Sequence, residues 1–127
     1  MFESFAVPGM DMGSLMALQQ KNLEALARAN QLLMEAAQAV AKREFEIMQS
    51  TMDEAVKATK DLAGETDPKA NASMRLDLAK QSVETALNNM REITEMAVKS
   101  NQEAFGILNK RTLESFDEAK KAIAKTA

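Results

Sequence analysis

The chain has 127 residues, a formal net charge of −3 and no cysteine, histidine, tryptophan or tyrosine. These absences remove disulfide bonds, thiol chemistry, the commonest general base and the commonest transition-metal ligand, so we expect a non-enzymatic protein without a cofactor or metal. Acidic and basic residues are interspersed along the chain, which argues against a nucleic-acid-binding surface.

The first 13 residues are predicted to form a flexible apolar arm. Pro8, Gly9 and Gly13 disfavour a helix here, while the segment is made hydrophobic by its apolar side chains, Phe2, Phe5, Val7, Met10 and Met12. Two interpretations stay open for this arm. It is either an extension that adheres to an apolar surface or a frayed terminus.

A first long helix is predicted over residues 14–63, with Ser14 as its N-cap and Gly64 in the left-handed position after its end. About 50 helical residues span roughly 75 Å. At about 100° per residue, the apolar positions fall into two neighbouring arcs. The first arc is predicted to be the packing seam: Leu15, Leu18, Leu26, Leu33, Val40, Ile47 and Leu62. The second arc is predicted to be an apolar interaction face: Met16, Leu23, Met34, Phe45, Met52 and Val56.

Residues 64–67 are predicted to form a tight turn, in which Asp67 caps a second helix that begins at Pro68 and ends near residue 125. The apolar positions of this helix alternate steps of three and four, which predicts a helical and partly heptad seam. That seam comprises Leu76, Val83, Leu87, Met90, Phe105, Leu108, Phe116 and Ile123. Gly106 interrupts the row and is expected to loosen or bend the helix.

The predicted fold is all-α, a long antiparallel two-helix hairpin over residues 14–127. Such a hairpin buries little surface by itself, so we expect it to assemble into an oligomeric helical bundle or coiled coil, or to bind another surface. Ten methionines favour an adaptable apolar surface, because methionine packs against irregular shapes.

Two stretches of the sequence resemble the phasin family. Residues 22–31 (NLEALARANQ), 35–43 (EAAQAVAKR) and 46–49 (EIMQ) are similar to the first helix of that family. The break at Asp67-Pro68, the run from Met90 to Ile93 and the alanine- and lysine-rich end are similar to its second half. The resemblance covers roughly residues 14–125.

The resemblance implies a non-enzymatic protein that coats intracellular polyhydroxyalkanoate (polyhydroxybutyrate) granules in the cytoplasm and modulates their size and number. It also implies a homo-oligomer, with a depolymerase or other granule proteins as further partners. An alternative is an oligomeric helical-bundle adaptor that hides both arcs within itself and binds no granule. Reversible binding to phospholipid ranks third, because the polar side lacks the basic residues usual for anionic membranes. Neither a spanning helix nor an export signal is expected.

Overall fold

The computed structural model describes residues 11–126, and these residues form two helices and no strand. Helix α1 is Met12–Gly64 and helix α2 is Pro68–Thr126. The all-α fold class predicted from the sequence is therefore confirmed. Most of the predicted N-terminal arm lies outside the described residues, and its last two residues, Met12 and Gly13, already belong to α1.

Helix α1 begins earlier than predicted because Asp11, and not Ser14, is its N-cap. The Asp11 Oδ1 atom accepts the backbone N–H of Ser14 at 2.7 Å, which satisfies one of the free donors at the start of a helix. The hydrogen bonds from Ser14 lower the pKa of the Asp11 carboxyl. Ser14 therefore lies inside the first helical turn.

The turn between the helices is held by side-chain caps on both of its sides. Asp67 caps α2 as predicted, since its Oδ1 atom accepts the N–H of Lys69 at 3.3 Å. The amide of Asn71 donates back across the turn to the carbonyl of Leu62 at 3.0 Å, near the end of α1. Gly64 is still helical and does not adopt the predicted left-handed conformation. The Asn71 amide thus supplies a C-terminal cap that the sequence pattern did not indicate.

The chain divides into two compact units. The turn unit is Ala36–Val98, and the end unit combines, among the described residues, positions 11–35 with positions 99–126. Each unit pairs a segment of α1 with a segment of α2. In the turn unit the pairing is antiparallel, because Arg43 contacts Glu92 while Leu62 contacts Asn71.

The most buried positions of the contact between the helices hold small and polar residues, and larger residues such as Leu18, Ile47 and Leu78 are half-buried. In the end unit the buried hydrophobic residues of the described chain are all alanines, Ala25, Ala29 and Ala104, and Arg111 is buried beside them. Alanine side chains let two helices approach closely but bury little apolar area. On α1 the buried and half-buried positions from Leu15 to Ile47 follow steps of three and four, as in a heptad seam.

Helix α2 continues through Gly106, where the sequence predicted a loosening or bend. A Cβ atom at this position would meet nothing within 4 Å. We therefore expect Gly106→Ala to stabilise the protein by about 0.5–1 kcal/mol, because alanine loses less backbone entropy in a helix. Thermal unfolding followed by circular dichroism should show a rise of roughly 2–5 °C.

The matched control for this substitution is Ala104→Gly two residues earlier, at a buried position, which should lower the melting temperature. An unchanged melting temperature for Gly106→Ala would contradict this prediction. It would mean that the glycine is needed for a backbone conformation other than the described helix.

Candidate functional site

Many large hydrophobic side chains are exposed along both units, whereas the buried hydrophobic residues of the described chain are all alanines. Single exposed hydrophobic residues are ordinary, but a long series of them marks an interaction surface. The series in α1 is Met12, Met16, Leu23, Leu26, Leu33, Met34, Phe45, Met48, Met52 and Val56. The series in α2 is Leu76, Val83, Leu87, Met90, Val98, Phe105, Leu108, Leu113 and Phe116.

The six side chains of the predicted interaction face are all more than half exposed. In the end unit these are Met16, Leu23 and Met34, with 65–66% of each residue accessible. In the turn unit Phe45, Met52 and Val56 are 55–62% accessible. The described chain therefore leaves more than half of each of these residues exposed, and their contact with a polymer stays a prediction.

The structure places the predicted packing seam differently on the two helices. On α1, Leu26 and Leu33 are exposed, and the remaining members are half-buried: Leu15, Leu18, Val40, Ile47 and Leu62. On α2 only Ile123 is half-buried, and the other seven are exposed: Leu76, Val83, Leu87, Met90, Phe105, Leu108 and Phe116.

Helix α2 instead faces α1 with a second row of heptad-like spacing. This row is smaller and more polar, and its members are Met74, Leu78, Thr85, Asn89, Ile93, Ala104, Ile107, Arg111 and Ser115. Two properties favour it over the more apolar row. Its small residues permit close helix approach, and two of its polar residues, Arg111 and Ser115, hydrogen-bond to Asn22 on α1. Seven of the eight α2 residues predicted to form the packing seam are therefore exposed, and their packing role stays a prediction.

In the turn unit one exposed methionine from each helix lies on the same side of the helix pair. Met52 lies about 130° around α1 from the contact, and Met90 lies about 120° around α2 in the same rotational sense. Because the helices run antiparallel, equal rotations bring both side chains to the same side of the pair. We call this the apolar side of the turn unit.

A buried polar network joins the helices of the end unit. The Arg111 guanidinium is 8% accessible and donates through Nε to Asn22 Oδ1 at 2.8 Å. It also donates to both carboxylate oxygens of Glu118, including Oε1 at 3.0 Å. The Ser115 hydroxyl donates to Asn22 Oδ1 at 2.7 Å, and Lys21 lies 3.2 Å from Glu118. Arg111 is therefore hydrogen-bonded across the contact to Asn22 on α1 and along its own helix to Glu118.

The same network shifts the titration of its members. Hydrogen bonds from Arg111, opposed by desolvation and aided by Lys21, lower the pKa of Glu118 to about 2. Reciprocally, the Glu118 carboxylate raises the pKa of Arg111. The ion pairs are therefore fully charged at neutral pH.

The turn unit has a comparable but more exposed connection. Arg43 donates through Nε and Nη2 to the two carboxylate oxygens of Glu92, at 2.9 and 3.0 Å. The fork-shaped pairing defines one register between the helices. Sequence reasoning missed Arg43 and Arg111, since charged residues are usually assigned to a solvated face. Their signal was positional, because both fall at heptad positions of the contact.

Within residues 11–126 no group of acidic side chains is placed to hold a metal ion. No helix of the described residues is long and apolar enough to cross a membrane. What the arrangement does offer is extended apolar surface on a framework joined by polar contacts.

The sequence is similar to a known protein family over most of its length. A family model described as "Phasin protein" matches residues 14–112, which is most of the chain. No curated protein and no solved structure matches the chain significantly.

The end-unit network predicts a specific acid dependence of stability. The folded pKa of Glu118, about 2, lies below its ordinary value of 4.5, so its carboxylate stabilises the fold above about pH 4.5. This contribution is lost as the pH falls from about 4.5 towards 2. We expect Glu118→Gln to melt at a lower temperature than the wild type at pH 7, with the difference shrinking towards pH 2.

Glu84→Gln, at an exposed position of α2, is the control and should melt close to the wild type at each pH. A Glu118→Gln deficit of equal size at pH 7 and pH 2.5 would contradict the assignment of this stabilisation to the carboxylate.

Proposed function

We propose that this chain, which belongs to the phasin family of polyhydroxyalkanoate granule-associated proteins, coats the granule with its exposed apolar residues. Proteins of this family are structural components of the granule rather than enzymes. The observation that carries the proposal is the distribution of side chains by size. Alanines occupy the most buried positions of the contact, whereas many of the methionines, leucines and phenylalanines of both helices are exposed.

The chemistry of a polyester surface suits this arrangement. It presents alkyl groups without a fixed pattern of charge, so adsorption depends on apolar area at roughly 25 cal/mol per Å². Covering side chains that are already half covered contributes about 1 kcal/mol each, and several together suffice for binding. Methionine adapts to irregular surfaces, and α1 exposes Met16, Met34, Met48 and Met52.

The charged residues of α1 provide the outer surface of the proposed coat. Glu24, Arg28, Lys42 and Lys57 fall on the side of the helix away from the interaction face and are exposed. A granule covered in this way presents mixed charge to water, and we infer that this limits coalescence. Granule number and size should then depend on the amount of the protein.

A second proposal concerns the exposed apolar row of α2. We propose that Leu76, Val83, Leu87 and Met90 pack against another copy of the chain when no granule is present. Their three- and four-residue spacing is that of a coiled-coil seam, and their accessible fractions range from 57 to 73%. Self-association would cover this row in solution.

Replacing two residues of the interaction face tests granule binding. We expect Phe45→Glu with Met52→Glu to reduce binding to polyhydroxybutyrate particles by at least about tenfold, because two apolar contacts are replaced by charges that resist desolvation. Binding is measured by cosedimentation with particles, and helicity by circular dichroism.

The control places the same two charges elsewhere, as Ala39→Glu with Ser50→Glu, at exposed positions on the charged side of α1. Equal binding by the two double variants would mean that another face contacts the polymer. Diffuse fluorescence of a wild-type fusion in cells with visible granules would refute granule coating altogether and favour the adaptor.

Replacing one residue of the α2 row tests self-association. We expect Leu87→Lys to shift the sedimentation velocity of the free protein towards that of the monomer, since a buried lysine would lack a partner. Asn88→Lys, at the neighbouring exposed position, adds the same charge and should leave the distribution unchanged. A wild type that sediments as a monomer would exclude this role of the row.

A further inference from the structure

The two helices separate from each other over part of the turn unit. On α1 no residue from 48 to 57 is even half-buried, and on α2 the same holds from 79 to 84. The cause lies in the residues that continue the seam. Thr51 and Glu54 follow Ile47 on α1, and Ser82 follows Leu78 on α2. These side chains are too small or too polar to fill the space that leucines would occupy.

The separation forms a groove of about 870 Å³ between the helices. This volume lies in the range of about 300–1,000 Å³ that is usual for small-molecule sites. The groove includes Met90 and Thr94 from α2 and Thr51 and Ala55 from α1, so it opens on the apolar side of the turn unit.

The lining combines alkyl groups with neutral hydrogen-bond donors. Ile47, Leu78 and Ile93 supply alkyl surface. The hydroxyls of Ser82, Thr85 and Thr94 also line the groove. None of these three hydroxyls forms a side-chain hydrogen bond within residues 11–126.

The hydroxyl of Thr51 behaves differently, since it donates to the Ile47 carbonyl at 2.8 Å. The three hydroxyls on α2 are therefore available to donate to a ligand, and such a ligand needs acceptor oxygens spaced along an apolar chain.

The charges around the groove select against an anionic ligand. Glu44, Glu54 and Asp61 contribute three carboxylates, against the single ammonium of Lys57. A fatty-acid carboxylate or a phospholipid phosphate would meet net repulsion here, whereas an uncharged ester would not.

We propose that this groove binds a segment of neutral aliphatic ester chain. Ester carbonyl oxygens accept hydrogen bonds from the α2 hydroxyls, and the alkyl groups between them pack on Ile47, Met90 and Ile93. The inference rests on the proposed function and deepens it. In addition to adsorption on the granule surface, the turn unit holds one polymer strand in a defined place.

The direct test uses a soluble probe, a tetramer of 3-hydroxybutyrate capped with acetyl and methyl ester groups. Titration calorimetry with the full chain should detect binding. We expect Thr51→Leu with Ser82→Leu to weaken that binding by at least about tenfold, because leucines at these seam positions fill the groove. The same double variant should melt at a higher temperature than the wild type, which excludes unfolding as the reason for the loss.

The matched control is Thr59→Leu with Ser73→Leu, which makes the same replacements at exposed positions outside the groove. The Thr59 hydroxyl donates to the Ala55 carbonyl at 2.9 Å and is not offered to a ligand. This control should bind the tetramer as the wild type does. No binding by the wild type, or equal binding by the filled variant, would overturn the proposal.

Two further measurements test the chemistry of the site. Thr85→Val with Thr94→Val preserves the shape of the lining and removes two donors, so we expect about tenfold weaker binding. The tetramer with a free carboxylate in place of its methyl ester should bind at least about fivefold more weakly, because of the acidic residues. Equal affinity for the two tetramers would contradict the charge argument and overturn the proposal.

The failure of this inference is distinguishable from the failure of granule coating. Wild-type protein that cosediments with polyhydroxybutyrate particles but ignores the capped tetramer refutes the groove and supports the coat. Protein that ignores the particles refutes the coat. If filling the groove instead dissociates an oligomer, the occupant is a second copy of the chain and the proposal is wrong.

Discussion

The structure depends on a contact between helices in which the small and polar residues are inside. Ala25, Ala29 and Ala104 are buried, and so is the guanidinium of Arg111. Close approach of alanines yields dispersion contacts but little apolar burial, which restricts the stability that either unit derives from a hydrophobic core. In return, the larger hydrophobic residues of both helices are available to a partner. The most buried hydrophobic positions of the described chain are therefore small, whereas an ordinary globular core also buries large hydrophobic residues.

Polar contacts supply the register that an alanine contact does not define. Arg43 and Glu92 are each more than a third exposed, so solvent screens their pair and its net contribution is small, although its geometry selects one alignment. Arg111 differs because it is buried, and removing one of its partners would strand a charge in the contact. In both units an arginine hydrogen-bonds across the contact between the helices. Arg43 of the turn unit is half-buried, and Arg111 of the end unit is buried. The alignment of the end unit is the more strictly specified.

The exposed apolar surface exists because the contact between the helices does not cover many of the larger hydrophobic residues. An apolar side rich in methionine recognises a class of surface rather than a single shape. The groove of the turn unit is the more selective element of the proposal, because its lining combines hydroxyls with an excess of carboxylates. Both features arise from the same sequence property. Small and polar residues occupy seam positions that would hold leucine in an ordinary coiled coil.

The sequence alone determined the two long helices and the turn between them. Helical periodicity, the Asp67-Pro68 start signal and the scarcity of glycine act locally, and they need no tertiary contact to be read. The six residues that the sequence predicts as an interaction face on α1 are exposed in the structure, and their role in binding stays a prediction.

Only the tertiary structure decided which row of α2 meets α1. Periodicity ranks rows by hydrophobicity, and that ranking favours Leu87 and Phe105 over Ser115 and Arg111. The observed pairing depends on partners across the contact, namely Asn22 for Arg111 and Ser115, and Glu92 for Arg43. Such partners are distant in sequence, and their complementarity exists only once the two helices lie side by side.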